Sequence, residues 1–133
     1  MMDEVIVKFI VSEGSETQSN NFQQKQVIVN PVLVFETPYI PTSLSMAVTM
    51  IVYGISDGEN HSFGFNITNR QNNKVIFDSG LANLEVLKSS ENFTISADLK
   101  NLGFENECKY TITLKIDGQD YQDDFFVKRK TID

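Results

Sequence analysis

From Cys108 to Ile116 every second residue is apolar: Cys108, Tyr110, Ile112, Leu114 and Ile116 alternate with Lys109, Thr111, Thr113 and Lys115. Successive side chains of a strand point to opposite faces, so this row marks a strand with one dry face and one wet face. A helix would scatter the same residues around its axis and leave no apolar stripe. Asp117-Gly118 follows, a dipeptide suited to the positive φ angles of a tight hairpin turn. Tyr121, Phe125 and Val127 then share one face, interrupted by Asp123. The pattern predicts a hairpin of 108–117 and 120–129.

The same period recurs upstream. Phe63, Phe65 and Ile67 alternate with Ser62, Gly64 and Asn66, and Arg70-Gln71-Asn72-Asn73 makes a turn cluster before Lys74–Asp78. A second hairpin is expected over 62–78. Leu44, Met46, Val48, Met50 and Val52 form another row, long enough over 44–56 to require a bulge or a change of sheet. Phe93, Ile95, Ala97 and Leu99 form one more, and Val5–Val11 and Val27–Phe35 are apolar enough for strands. Pro31 confines the second of these to an edge or a bulge. Ser12 to Gln24 is polar and without period, and reads as a long loop. Thr37–Pro41 reads as an extended connection. Leu81, Leu84 and Leu87 leave 80–90 open between a short helix and a strand, with strand or irregular structure favoured.

About seven or eight antiparallel strands at regular spacing, with no long helix, describe an all-β fold: a two-sheet Greek-key β-sandwich, with a closed barrel as the alternative. The 133 residues fit a single domain, 1–133, without repeats. Phe93–Leu99, Asn101-Leu-Gly-Phe104 and Tyr110–Gly118 resemble the last three strands of an immunoglobulin-like sandwich, with Tyr110 where such folds place a corner tyrosine. Together with Ile40-Pro41-Thr42 before a long strand, the ending is similar to small sandwich proteins of unassigned function from low-GC bacteria and their phages. The resemblance implies a fold and brings no catalytic residue, cofactor or ligand.

Charge narrows the function. The chain carries 18 acids against 11 bases, a net charge of −7. Its only arginines are Arg70 and Arg129. Phosphate-backbone recognition needs clustered cations, so direct nucleic-acid binding is not expected, nor is binding to an anionic membrane. Cys108 is the lone cysteine; it can neither close an intramolecular disulfide nor build a zinc site with the single histidine. No export signal or membrane-spanning run is legible, and the expected location is cytoplasmic.

Chemistry is sparse. His61 lies in Asp57-Gly-Glu-Asn-His-Ser62, which reads as a turn with a solvated histidine. Asp117, Asp120, Asp123 and Asp124 crowd one hairpin without the spacing of a calcium loop, and read as charge that keeps the hairpin soluble. Cys108 reads as a small core residue. No catalytic, cofactor-binding or metal-binding residue is assigned, and no enzyme activity is expected. The expectation is a non-enzymatic protein-binding module, monomer or homodimer. Its working surface would be the loops 12–24, 36–43 and 100–107, or an exposed strand edge. The alternatives are a structural subunit, pairing through the edges of Val5–Val11 or Val27–Phe35, and an acidic mimic occupying a nucleic-acid-binding enzyme.

Overall fold

The C-terminal hairpin organises the computed structural model, which describes residues 4–20, 23–55, 57–88 and 92–131. Ten strands occur among them: β1 (Ile6–Asn20), β2 (Gln23–Pro31), β3 (Val34–Thr37), β4 (Thr42–Tyr53), β5 (Asn60–Asn69), β6 (Val75–Asp78), β7 (Ala82–Glu85), β8 (Asn92–Phe104), β9 (Cys108–Ile116) and β10 (Gln119–Arg129). The described residues form no helix. Ile116 pairs with Gln119 across a two-residue turn in which Asp117 (φ 50°) and Gly118 (φ 84°) both take the left-handed region. Such a turn follows the natural twist of its strands and fixes their register.

Two sheets face one another. The first is ordered β2-β1-β4-β8; the second is ordered β3-β10-β9-β5-β6, with β7 also on β5. Every pairing is antiparallel except β3 with β10, which is parallel. The rows read from the sequence supply the core: Met46, Met50 and Val52 from one sheet, and Ile67, Ile112, Leu114 and Phe125 from the other. Burying each such side chain contributes about 1.5–3 kcal/mol. Phe104, Tyr110 and Phe125 close one end of the core, Phe104 edge-on to Tyr110 at 5.0 Å and Tyr110 stacked on Phe125 at 5.7 Å.

The strand count exceeds the seven or eight expected, for two local reasons. Pro31 ends β2, and the chain resumes as β3 on the opposite sheet, dividing the 27–35 stretch. The edge facing β5 is interrupted between β6 and β7 at Ser79-Gly80-Leu81. There a side chain at Gly64 would place its Cβ 2.5 Å from the Gly80 carbonyl oxygen, so only glycine admits the approach. One expectation is corrected without adding a strand. Ser12–Gln24, expected as a loop, belongs to the paired arm β1–β2, with Ser12 against Pro31 through Asn20 against Gln23. Residues 21–22 at its tip lie outside the described residues.

The arm escapes the alternation rule because it folds back over the outer face of the first sheet instead of flanking the core. Ser15 donates to Asp98 (3.0 Å) and meets the Ser96 hydroxyl (3.1 Å), and Gln26 donates to Ser96 (3.2 Å). Beneath it Ala47 and Thr49 are buried although they point away from the core. The Thr49 hydroxyl has no hydrogen-bond partner among the described residues. The long strand β4 keeps to one sheet and carries the expected irregularity, a register shift between Leu44 and Met46. Asn101 of β8 (φ 54°) supplies the extra residue there, its amide donating to the Ser45 hydroxyl at 3.2 Å.

Candidate functional site

The pairings give the sandwich two ends. One gathers the connections 38–41, 70–74 and 105–107 with the end of β10; the other gathers 57–59, Glu85 and the turn 117–118. Charge segregates between them. Arg70, Lys74, Lys109, Lys128, Arg129 and Lys130 lie at the first, with Glu36, Glu105, Glu107 and Asp124 interspersed. Asp57, Glu59, Glu85, Asp117 and Asp120 lie at the second, with Lys88 and Lys115.

At the acidic end His61 departs from the solvated turn histidine expected. It is the second residue of β5, opposite Leu84 of β7, and its side chain is 14% exposed. Its Nδ1 lies 2.5 Å from Asp117 Oδ2 and its Nε2 lies 2.9 Å from Asp57 Oδ1. To donate to both carboxylates the ring must hold both protons. The Asp57 hydrogen bond, then that of Asp117, raises the histidine above its ordinary value. In turn the Ser62 amide, then His61, lowers Asp117. His61 and the Glu59 amide lower Asp57. With both nitrogens engaged, the imidazole has no lone pair for general-base chemistry in this arrangement. The clamp joins β5, the β9–β10 turn and the 57–59 bend.

The four hairpin aspartates do not converge. Asp117 serves the clamp, Asp124 accepts from Thr111 Oγ1 at 2.7 Å, and Asp123 accepts from the Asp124 amide. Among the described residues no group of three or more His, Cys, Asp or Glu side chains is arranged to hold a metal ion. Cys108 is half-buried, its thiol 3.4 Å from Asn69 Oδ1.

All four residues of β7 are exposed, and among the described residues β7 pairs on one side only, with β5. Leu81, Leu84 and Leu87 project there, 70%, 44% and 62% exposed. A cleft of about 270 Å³ lies among Leu84, Glu85, Val86, Leu87 and Phe93, where the two sheets part. The leucine triplet was visible as a row in the sequence; its exposure was not, because an apolar row ordinarily signals burial. At the basic end Pro38, Tyr39, Glu107, Arg129, Lys130 and Thr131 line an open cleft of about 470 Å³. Of the expected working loops, 36–43 and 100–107 meet at this end, whereas 12–24 is the arm.

These features define an all-β two-sheet sandwich with open edges. No protein-family model matches the chain, and no curated protein matches it significantly. It is similar in structure to the alkylpurine DNA glycosylase AlkC of Pseudomonas fluorescens, solved bound to DNA containing an abasic site analog. The TM-score is 0.53 and the identity 9%, over 95% of this chain and 31% of that one. This chain thus spans less than a third of that protein, and the likeness concerns the fold alone.

Proposed function

We propose that this chain is a protein-interaction module on an immunoglobulin-like Greek-key sandwich, working through the free edge of β7. The observation that carries the reading is the pairing of an unpartnered strand edge with three exposed leucines beside an apolar cleft. An added strand would satisfy the outward backbone groups of β7, and the cleft would take an alternate apolar side chain. Exposed apolar clusters on a soluble domain mark such surfaces. The immunoglobulin-like assignment is supported by Tyr110, whose hydroxyl donates to the Asn106 carbonyl at 2.7 Å just upstream of β9. The parallel placement of the short strand β3 on β10 is consistent with it. A lone half-buried thiol agrees with a reducing, cytoplasmic setting.

The second reading, a structural subunit, is favoured by one observation. Ile6–Ile10 of β1 pairs with β4 but not with β2, and the chain after β2 meets this edge at Val11, whose carbonyl accepts from the Val32 amide at 2.8 Å, so among the described residues only the Ile6–Ile10 part of the edge expected for strand pairing is open.

Both readings are tested by replacing Leu84 and Leu87 with Glu and, separately, Leu33, 77% exposed beside the Val11 edge, with Glu. Each protein is immobilised in lysate of its source cell, and its size is measured in parallel by sedimentation. A stoichiometric partner lost only with the Leu84/Leu87 variant supports the module. A concentration-dependent oligomer abolished only by Leu33→Glu shifts the function to assembly. A partner set indifferent to Leu84 and Leu87 removes the β7 reading.

A further inference from the structure

We propose that the cleft at the basic end binds an acidic polypeptide segment, with Arg129 and Lys130 holding its carboxylates and Tyr39 packing on its chain. The site is separate from the β7 edge and does not rest on it. Lys128-Arg129-Lys130 is the densest run of cations in a chain of net charge −7. The pairing of β10 with β3 carries this run past the core to the cleft, with Arg129 opposite Thr37 and the Lys130 amide donating to the Thr37 carbonyl at 2.7 Å. The ion pairs among the described residues engage His61 and Lys109, not Arg129 or Lys130.

Tyr39 presents its ring beside these cations, 74% exposed, between Pro38 and Ile40. A large aromatic left in water next to a guanidinium suits a ligand that is charged at one point and apolar beside it. Arg supplies a planar fork matched to a carboxylate, and Lys a mobile second charge. Glu107 lines the same cleft. A phosphodiester strand crossing it would meet that carboxylate at close range, whereas a peptide can offer it an amide or hydroxyl donor. The acidic remainder of the molecule also repels a long polyanion more than a short acidic segment.

The test is fluorescence anisotropy at low salt with a dye-labelled, Glu-rich peptide containing one Tyr, against the full chain. The expected result is saturable binding, weakened about tenfold by Arg129→Gln with Lys130→Gln and about threefold by Tyr39→Ala. Lys88→Gln with Lys115→Gln, at the other end, should leave it unchanged. Absence of saturable binding, or equal loss with the Lys88/Lys115 variant, overturns the site. A single-stranded oligonucleotide of equal charge is titrated alongside. If it binds more tightly and loses affinity with the Arg129/Lys130 variant, the cleft is a nucleic-acid site and the peptide assignment is overturned.

Discussion

The two ends of this sandwich use polar groups differently. At the acidic end the charges are engaged with one another: Asp57, His61 and Asp117 form one clamp, and the Ser62 and Glu59 amides complete it. At the basic end the ordering polar contacts are mostly between neutral groups, around Tyr110, Asn106 and Asn69. The cations there stand outside that network. Charge tied up in structure is unavailable to a ligand, while charge left outside the framework is available to one. The proposed charge-dependent recognition thus falls at the end whose ordering contacts are mostly between neutral groups.

The sharpest way to break the comparison is to weaken the neutral framework. Tyr110 is fully buried, and burial pushes its phenol up to about 12. Its hydroxyl donates to the Asn106 carbonyl and accepts, at 3.4 Å, from the Asn106 amide. Tyr110→Phe keeps the ring contacts with Phe104 and Phe125 and removes only these bonds. Urea denaturation should show a loss of about 1–2 kcal/mol, the cost of partly buried backbone groups without partners. The loss should be constant across neutral pH, because the bonds removed join uncharged groups. A loss that varied with pH or salt would mean that charge also stabilises the basic end, and the contrast would fail.

The clamp makes the opposite forecast. A histidine raised on folding stabilises the native state fully below its unfolded value of about 6.5, and that contribution disappears as pH rises through the raised native value. Asp57 and Asp117 are lowered, so their contribution is present above the ordinary carboxylate range and disappears as pH falls through their native values. The clamp is therefore strongest in mildly acidic solution and weakens on either side. His61→Gln should cost about 1 kcal/mol near pH 5.5 and less at pH 9, because both partners are half-exposed and screened. Thermal melts of both proteins across that range measure the difference. A pH-independent gap between them would show that His61 acts by packing on Phe63 and not as a charge.

The same division explains what the sequence made legible. The hairpins 108–117/120–129 and 62–78, the row in β4 and the strand beginning at Phe93 lie where one face is buried, and burial writes a period into the residues. The arm β1–β2 lies on an outer face, where nothing enforces alternation, so its polar residues read as a loop. The clamp was hidden for another reason. Asp117 stands 56 residues from His61, and only the pairing of β5 with β9 brings them together. The leucines of the β7 edge were visible as a row, but their exposure depends on β7 being the last strand on its side.

The smallest effect sharpens the comparison most closely, because it tests charge at the end whose ordering contacts are mostly neutral. Lys109 Nζ lies 3.9 Å from Asp124 Oδ2, with both side chains nearly half exposed. Solvent screens a pair of this kind, and ordering two side chains offsets most of its attraction. Asp124 accepts from the Thr111 hydroxyl at 2.7 Å through its other oxygen, Oδ1. Lys109→Gln should therefore change stability by less than about 0.5 kcal/mol, with no dependence on salt. Denaturation in low and high salt reads this directly. A larger, salt-sensitive loss would place Lys109 within the framework of the basic end, and the separation of structural from available charge would then hold only for Arg129 and Lys130.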